Sequence, residues 1–125
     1  MTLLLDAAAF IALERNERPM WTRLKASVGL GEPPVTHSGV VGQVWRGSPR
    51  QARLATVLAG IDMKPLDRDL GRSAGELLAA CGLSDVIDAA LARLALDGDE
   101  IITSDREDME ILLAATGQHV ELLRP

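Results

Sequence analysis

The sequence predicts an α/β fold, a three-layer α/β/α sandwich around a mainly parallel sheet. Two observations carry this. Short apolar runs that read as strands alternate with helical segments, the pattern of parallel crossovers. Two of those runs, Leu3–Leu5 and Ile101–Thr103, lead directly into aspartates, Asp6 and Asp105. Ligands of such folds gather outside the C-terminal ends of the strands, so these acids mark the functional edge. At 125 residues the chain has room for one ordinary domain, residues 1–125.

Leu3-Leu4-Leu5 is a continuous apolar run, as expected of a strand buried on both faces. Ala7 to Asn16 reads as a helix with Phe10, Ile11 and the alanines inward. Asn16-Glu17-Arg18-Pro19 breaks it. Met20 to Leu30 reads as a second helix with Met20, Trp21, Leu24 and Val28 on its apolar side. Val35-Thr36 occupies the place of a second strand. Ser38 is the expected cap of a helix through Val40, Val41, Val44 and Trp45. Pro49 suits the first turn of the next helix, where Leu54, Val57 and Leu58 share a face. Ile61 to Leu66 is a candidate third strand.

Asp67 opens a helix running to about Cys81, with Leu70, Ala74, Leu77 and Leu78 inward, and Gly82 ends it. Gly71 and Gly75 lie within it, where close packing is the expected reason for them. Ser84 is the expected cap of a helix from Asp85 to about Leu96. Ile101–Thr103 is a strand, Arg106–Ala115 a helix and Gln118–Leu123 a final strand, with His119 exposed in it.

Composition narrows the function. Hydrophobic residues make up 47% and charged residues 25%, a soluble, globular balance. The longest apolar run, Ala7–Leu13, is far shorter than the ~20 residues that span a bilayer. No basic segment precedes it, so no signal peptide or membrane association is expected, and the cytosol is the expected compartment. A single cysteine, Cys81, excludes an internal disulfide and a cysteine-based zinc site, and reads as a small buried hydrophobe. The net charge of −5 argues against gripping nucleic acid through bulk charge. Residues 1–62 carry a net of +2 and residues 63–125 a net of −7.

The acids are the main chemical signal. Asp85 and Asp88 share a helix face, and Asp108 follows Asp105 by one turn. Helix capping and the macrodipole account for Asp85 and Asp108. Asp88 lies among Val86, Ile87, Ala89, Ala90 and Leu91, and Asp6 between LLL and AAAFIAL. Carboxylates in such apolar sequence need a partner or take a raised pKa. A divalent cation of the Mg²⁺ or Mn²⁺ type, which favours carboxylate oxygen and water, is one such partner. Clustered carboxylates around such ions serve phosphodiester chemistry. There is no Gly-rich phosphate loop, and His37-Ser38 lacks a triad context.

Four blocks, LLLDAAAFIAL (3–13), VTHSGVVGQVWRG (35–47), GLSDVIDAALARLA (82–95) and TSDREDMEILL (103–113), resemble in order and spacing the PIN-domain family. They look most like the VapC-type toxins of bacterial toxin–antitoxin pairs. The resemblance implies an α/β/α sandwich and an Mg²⁺- or Mn²⁺-dependent endoribonuclease, often directed at tRNA or rRNA. It implies Asp6, Asp88 and Asp105 as acids that hold the metal, with Asp108 and Asp85 as additional or competing ones. The 17-residue step from Asp88 to Asp105 fits the family spacing. Where the family usually has a glutamate, this chain has Gln43, implied as the fourth catalytic residue: its amide oxygen could complete the metal shell or orient the water, but it carries no charge and cannot act as a base. Metal binding is expected to weaken roughly tenfold if the lost charge is worth ~1–2 kcal/mol. The alternative reading is a catalytically impaired binding module that still takes an antitoxin or RNA.

The resemblance also implies a small antitoxin that covers the site with a basic residue, and a homodimer to which Met20 and Trp21 could contribute. Arg46, Arg50 and Arg53 form the densest basic stretch and are equally well read as phosphate contacts or as a solvated face. Trp45, among valines, reads as core or interface. Thr103 and Ser104 are placed either to orient a metal-bound water or to cap the next helix. A phosphatase of the haloacid-dehalogenase type would need an aspartate at position 8, which is Ala8. A receiver would need a suitably placed lysine, and Lys25 and Lys64 are the only two.

Overall fold

The computed structural model describes all 125 residues. A five-stranded parallel sheet runs in the order β3-β2-β1-β4-β5. The strands are β1 (Leu3–Leu5), β2 (Val35–His37), β3 (Asp62–Lys64), β4 (Glu100–Ile102) and β5 (Glu121–Leu123). The helices are α1 (Ala7–Glu14), α2 (Arg18–Gly29), α3 (Ser38–Val44), α4 (Ala52–Ala59), α5 (Arg68–Cys81), α6 (Val86–Leu94) and α7 (Arg106–Thr116), with a 3₁₀ turn at Pro49–Gln51 before α4. The α/β/α sandwich expected from the sequence is the fold observed.

The period of two along a strand decides which core each side chain enters. Leu3, Leu5 and Ile102 join Phe10, Leu13, Met20, Val40 and Leu54 in the core beneath α1–α4. Leu4, Ile101 and Leu122 join Leu77, Leu91, Met109 and Leu112 in the core beneath α5–α7. Complete burial of each such side chain stabilises the fold by ~1.5–3 kcal/mol. The register Leu4↔Ile101 and Ile101↔Leu122 keeps this second core continuous across three strands.

Helix α6 is wrapped on nearly all sides: Ala89, Ala90, Leu91 and Ala92 are all buried in succession. It packs between α5 and α7 and reaches β2. Small side chains allow that close approach, so α6 is a rigid support for anything on its first turn. Both predicted αL terminators hold, with Gly82 ending α5 at φ 66° and Gly117 ending α7 at φ 75°.

Several sequence expectations are corrected. Ile11 and Val28 face solvent, at 39% and 53% exposure, because the neighbouring residues take the inward stripe. Met20 is completely buried, which removes it from any dimer surface. Pro19 lies in the first turn of α2 and so starts that helix rather than only ending the previous one. Trp45 is outside the core, capping α3 at 39% exposure. The Ile61–Leu66 strand shrinks to Asp62–Lys64, an exposed edge whose charged ends blunt pairing with another chain. His119 is exposed as expected but precedes the last strand. Cys81 is half-buried. No helix is long and apolar enough to cross a membrane.

Gly71 and Gly75 are not close-packing positions, since an added Cβ at either meets nothing within 4 Å. Gly39 is one: its Cβ would lie 2.5 Å from Ile87 Cδ1 and 2.9 Å from His37 Cε1. Chemical denaturation should therefore separate these glycines. Gly39→Ala is expected to lose about 1–3 kcal/mol through overpacking. Gly71→Ala and Gly75→Ala are each expected to gain about 0.5–1 kcal/mol from helix propensity.

Candidate active site

The strand order reverses between β1 and β4. The chain proceeds from β1 outward to β2 and β3, then returns to place β4 on the other side of β1. Asp6 leaves the end of β1, and Thr103-Ser104-Asp105 leaves the end of β4. Both therefore open onto the crevice where ligands bind in such sheets.

Asp6 is 7% exposed and held from three sides. Its Oδ1 accepts hydrogen bonds from the Ala8 and Ala9 amides at 2.8 and 3.3 Å, capping α1. Its Oδ2 accepts from the Ser104 amide at 3.3 Å, across to the β4 exit. Thr103, buried beside it, adds a side-chain hydrogen bond. Burial pushes the Asp6 carboxyl above the usual carboxylate range, and these hydrogen bonds oppose the shift. Thr103 Oγ1 also accepts from the Asp105 amide at 3.0 Å. Thr103 thus serves both as local cap and as a partner of Asp6.

Asp88 enters from the first turn of α6. The cap of α6 is Asp85, not Ser84: Asp85 Oδ1 accepts from the Ile87 and Asp88 amides at 2.9 and 3.1 Å. That commits Asp85 to the helix terminus, with its side chain at the surface. Asp88, half-buried, is pushed up to about 7. Burial is the main cause, followed by the Asp85 charge, a hydrogen bond with Asp105, and the charges of Asp105 and Asp6. The structure thus brings Asp6, Asp88 and Asp105 together, with Asp85 at their margin. Asp108 makes no hydrogen bond or ion pair and does not act on Asp88.

Gln43 lies exposed in the last turn of α3, and no hydrogen bond ties its side chain to these carboxylates. The basic stretch is divided. Arg46 folds back onto the Gly42 and Trp45 carbonyls. Arg50 lies exposed on the 3₁₀ turn. Arg53 donates to the Glu14 carbonyl at 3.0 Å, at the far end of α1 from Asp6.

Sequence reasoning set His37 aside. It is fully buried and joins the two halves of the site. Its Nδ1 accepts from the Gly39 amide at 3.1 Å, capping α3 in place of Ser38. That leaves the proton on Nε2, which donates to the Ile87 carbonyl at 2.9 Å, one residue before Asp88. Burial holds the imidazole below its ordinary pKa, and the Ile87 carbonyl partly offsets this. Ser38 instead accepts from the Leu66 amide at 2.9 Å. Thr36, on the same strand, donates to the Leu5 carbonyl at 2.8 Å, fastening β2 to β1 just before Asp6. Polar residues on a short strand beside apolar ones were the available signal for both.

No three His, Cys, Asp or Glu side chains converge closely enough to form a ready-made metal cage. Mg²⁺ seldom needs one, because it keeps several waters and takes one or two carboxylates. The donor chemistry fits such an ion: all-oxygen ligands, anionic, rigidly backed and mutually repelling.

Burial of Asp88, added to by that repulsion, has a measurable consequence. The folded carboxyl of Asp88 titrates near 7 against 3.8 for the ordinary group, so protonation favours the native state between these values. The associated stability is present at low pH and lost as pH rises through about 7. Asp88→Asn should therefore raise the thermal midpoint at pH 8 by a few degrees, roughly 1–2 kcal/mol after solvent screening. At pH 5, where the unfolded carboxyl is already ionised and the folded one is not, the rise should be roughly a third as large. Thermal unfolding of both proteins at the two pH values checks this.

Comparison with known proteins gives a likeness of fold. No family model matches the sequence, and no curated protein matches it. Among solved structures, the chain superposes on a chain of VapBC2 from Rickettsia felis, determined bound to a DNA fragment from its promoter. The TM-score is 0.69 at 14% identity, over 98% of this chain and 99% of that one. The α/β sandwich with its all-parallel sheet is thus the fold of a PIN-domain structure.

Proposed function

We propose that the chain is a metal-dependent endoribonuclease of the PIN type, acting as the toxin of a toxin–antitoxin pair. The observation that carries the reading is that Asp6, Asp88 and Asp105 lie around one crevice between β1 and β4, near enough for the charges of Asp6 and Asp105 to act on Asp88. The VapBC2 fold likeness supports it. Asp6, Asp88 and Asp105 would hold Mg²⁺ or Mn²⁺. When bound, the ion would supply a water of lowered pKa and charge stabilisation for an RNA phosphodiester.

The protein's own part is positioning. Asp6 is oriented by three backbone amides, so one carboxylate is fixed before any ligand arrives. The buried α6 and the His37–Ile87 bond hold Asp88 across from it. Asp105 accepts the hydrogen bond of protonated Asp88 in the free protein. Asp88 would hold a cation only in its ionised form, so metal affinity would rise with pH.

The cognate antitoxin would place an arginine or lysine against these acids, a charge-assisted contact the free site lacks. The reading includes a homodimer and a cytosolic location. The RNA substrate is a structured cellular RNA of the tRNA or rRNA type. A second reading, an impaired binding module, is favoured by one observation: Gln43 is uncharged, exposed and unattached to the acids.

Purified, antitoxin-free protein should cut total cellular RNA with Mg²⁺ or Mn²⁺, and not with EDTA. Asp6→Asn should lose at least ~100-fold of the rate, the scale expected for loss of positioned catalytic charge. Absence of metal-dependent cutting by folded protein would reject the nuclease. Gln43→Glu decides between the readings: a large rise in rate marks the native site as impaired, and an unchanged rate shows that the site works without a fourth carboxylate.

A further inference from the structure

A group of unpaired cations lies away from the acids. A cleft of about 530 Å³ between α1, α2 and α4 is lined by Asn16, Arg18, Trp21, Thr22, Lys25 and Arg53. No acidic side chain lines it. The three ion pairs in the chain join Met1 to Glu32, Lys64 to Asp62 and Arg106 to Glu110, so Arg18, Lys25 and Arg53 have no carboxylate partner. Three cations thus face one cleft in a chain whose net charge is −5. They repel one another, and an anion entering the cleft removes that repulsion.

The cleft is also fixed in advance. Arg53 Nη1 donates to the Glu14 carbonyl at 3.0 Å, and Trp21 Nε1 donates to the Leu13 carbonyl at 3.2 Å. The last turn of α1 therefore holds both a guanidinium and an indole. The other side of Trp21 packs on the core beneath α1–α4. Groups held this way lose little freedom on binding. Asp6 caps the opposite end of the same helix. Eight residues at 1.5 Å each separate the two ends by about 12 Å. The cleft therefore lies about one short helix length from Asp6.

We propose that this cleft is an exosite for single-stranded RNA, with Arg18, Lys25 and Arg53 on backbone phosphates and Trp21 against a base face. The proposal rests on the nuclease reading and adds where the strand is held outside the acids. A polyanion satisfies the three cations, and a nucleic acid offers the indole an aromatic base beside every phosphate. An acidic peptide does so only where an aromatic side chain is spaced among its carboxylates.

The test separates binding from cleavage. A fluorescent single-stranded RNA of about 12 nucleotides is titrated in EDTA with protein carrying Asp6→Asn, by anisotropy over a range of salt. Replacing Arg18, Lys25 and Arg53 together with Gln should weaken binding at least tenfold. It should also flatten the salt dependence by about 2 log units per log unit, at about 0.7 per phosphate contact. Lys25→Gln alone, which removes no internal hydrogen bond, should flatten it by about 0.7. With Trp45→Phe leaving Trp21 as the one indole, RNA should quench its fluorescence. Unchanged affinity and salt slope in the folded variants would overturn the exosite. So would an unquenched Trp21 together with displacement of RNA by polyglutamate at equal charge, which would assign the cleft to an acidic protein segment. Exosite binding with no cutting, under any metal, by protein that keeps Asp6 would reject the nuclease alone. Cutting of RNA by the triple variant at the parental rate and KM would reject the exosite alone.

Discussion

The site depends on one buried carboxylate. Asp6 terminates β1, caps α1 and accepts a hydrogen bond from the loop leaving β4. A charge at that position, 7% exposed, is costly unless it is hydrogen-bonded. The bonds that stabilise it also fix the relation between two strand ends, and hence between Asp6 and Asp105. Thr103 strengthens the joint by bonding Asp6 while accepting from the Asp105 amide. The same atoms thus serve folding and site geometry, and the remaining desolvation is what a cation would relieve.

The opposite wall is built differently. Asp88 is carried by a helix whose alanines let it be enclosed by α5, α7 and the sheet. Its orientation is set by Asp85 at the cap and by His37 from β2. A neutral imidazole is the appropriate group there. It accepts from one backbone amide and donates to one carbonyl, so it satisfies both at a point sealed from water. Gly39 has no side chain because His37 and Ile87 already occupy the space. The four acids are consequently held close enough to repel, and Asp88 carries the largest share of that repulsion.

Charge is divided along α1. Its N-terminus faces the carboxylates, and its last turn holds Arg53 and Trp21 through backbone carbonyls. A cation at the C-terminal end and a carboxylate at the N-terminal end both suit the helix dipole. This arrangement keeps the cations of the α1–α2–α4 cleft apart from the carboxylates at the strand ends.

Much of the architecture was readable from the residues alone. The all-apolar Leu3–Leu5 run, the Asp67 and Gly82 boundaries of α5 and the alternation of strands and helices follow from local physics: burial on two faces, capping and left-handed glycine. The positions of Asp6 and Asp105 after apolar strands were enough to place them at one edge of a parallel sheet. Tertiary structure alone decided the rest. Whether Asp85 or Asp88 faces the acids depended on which of them caps α6. Whether His37 is idle or structural depended on a carbonyl 50 residues away in sequence. The surroundings of Arg53 come from α1 and α2, not from its neighbours Arg46 and Arg50. A sequence determines local preferences and periodicity. Partners distant in the chain, and the burial that raises or cancels their charges, exist only once the chain has folded.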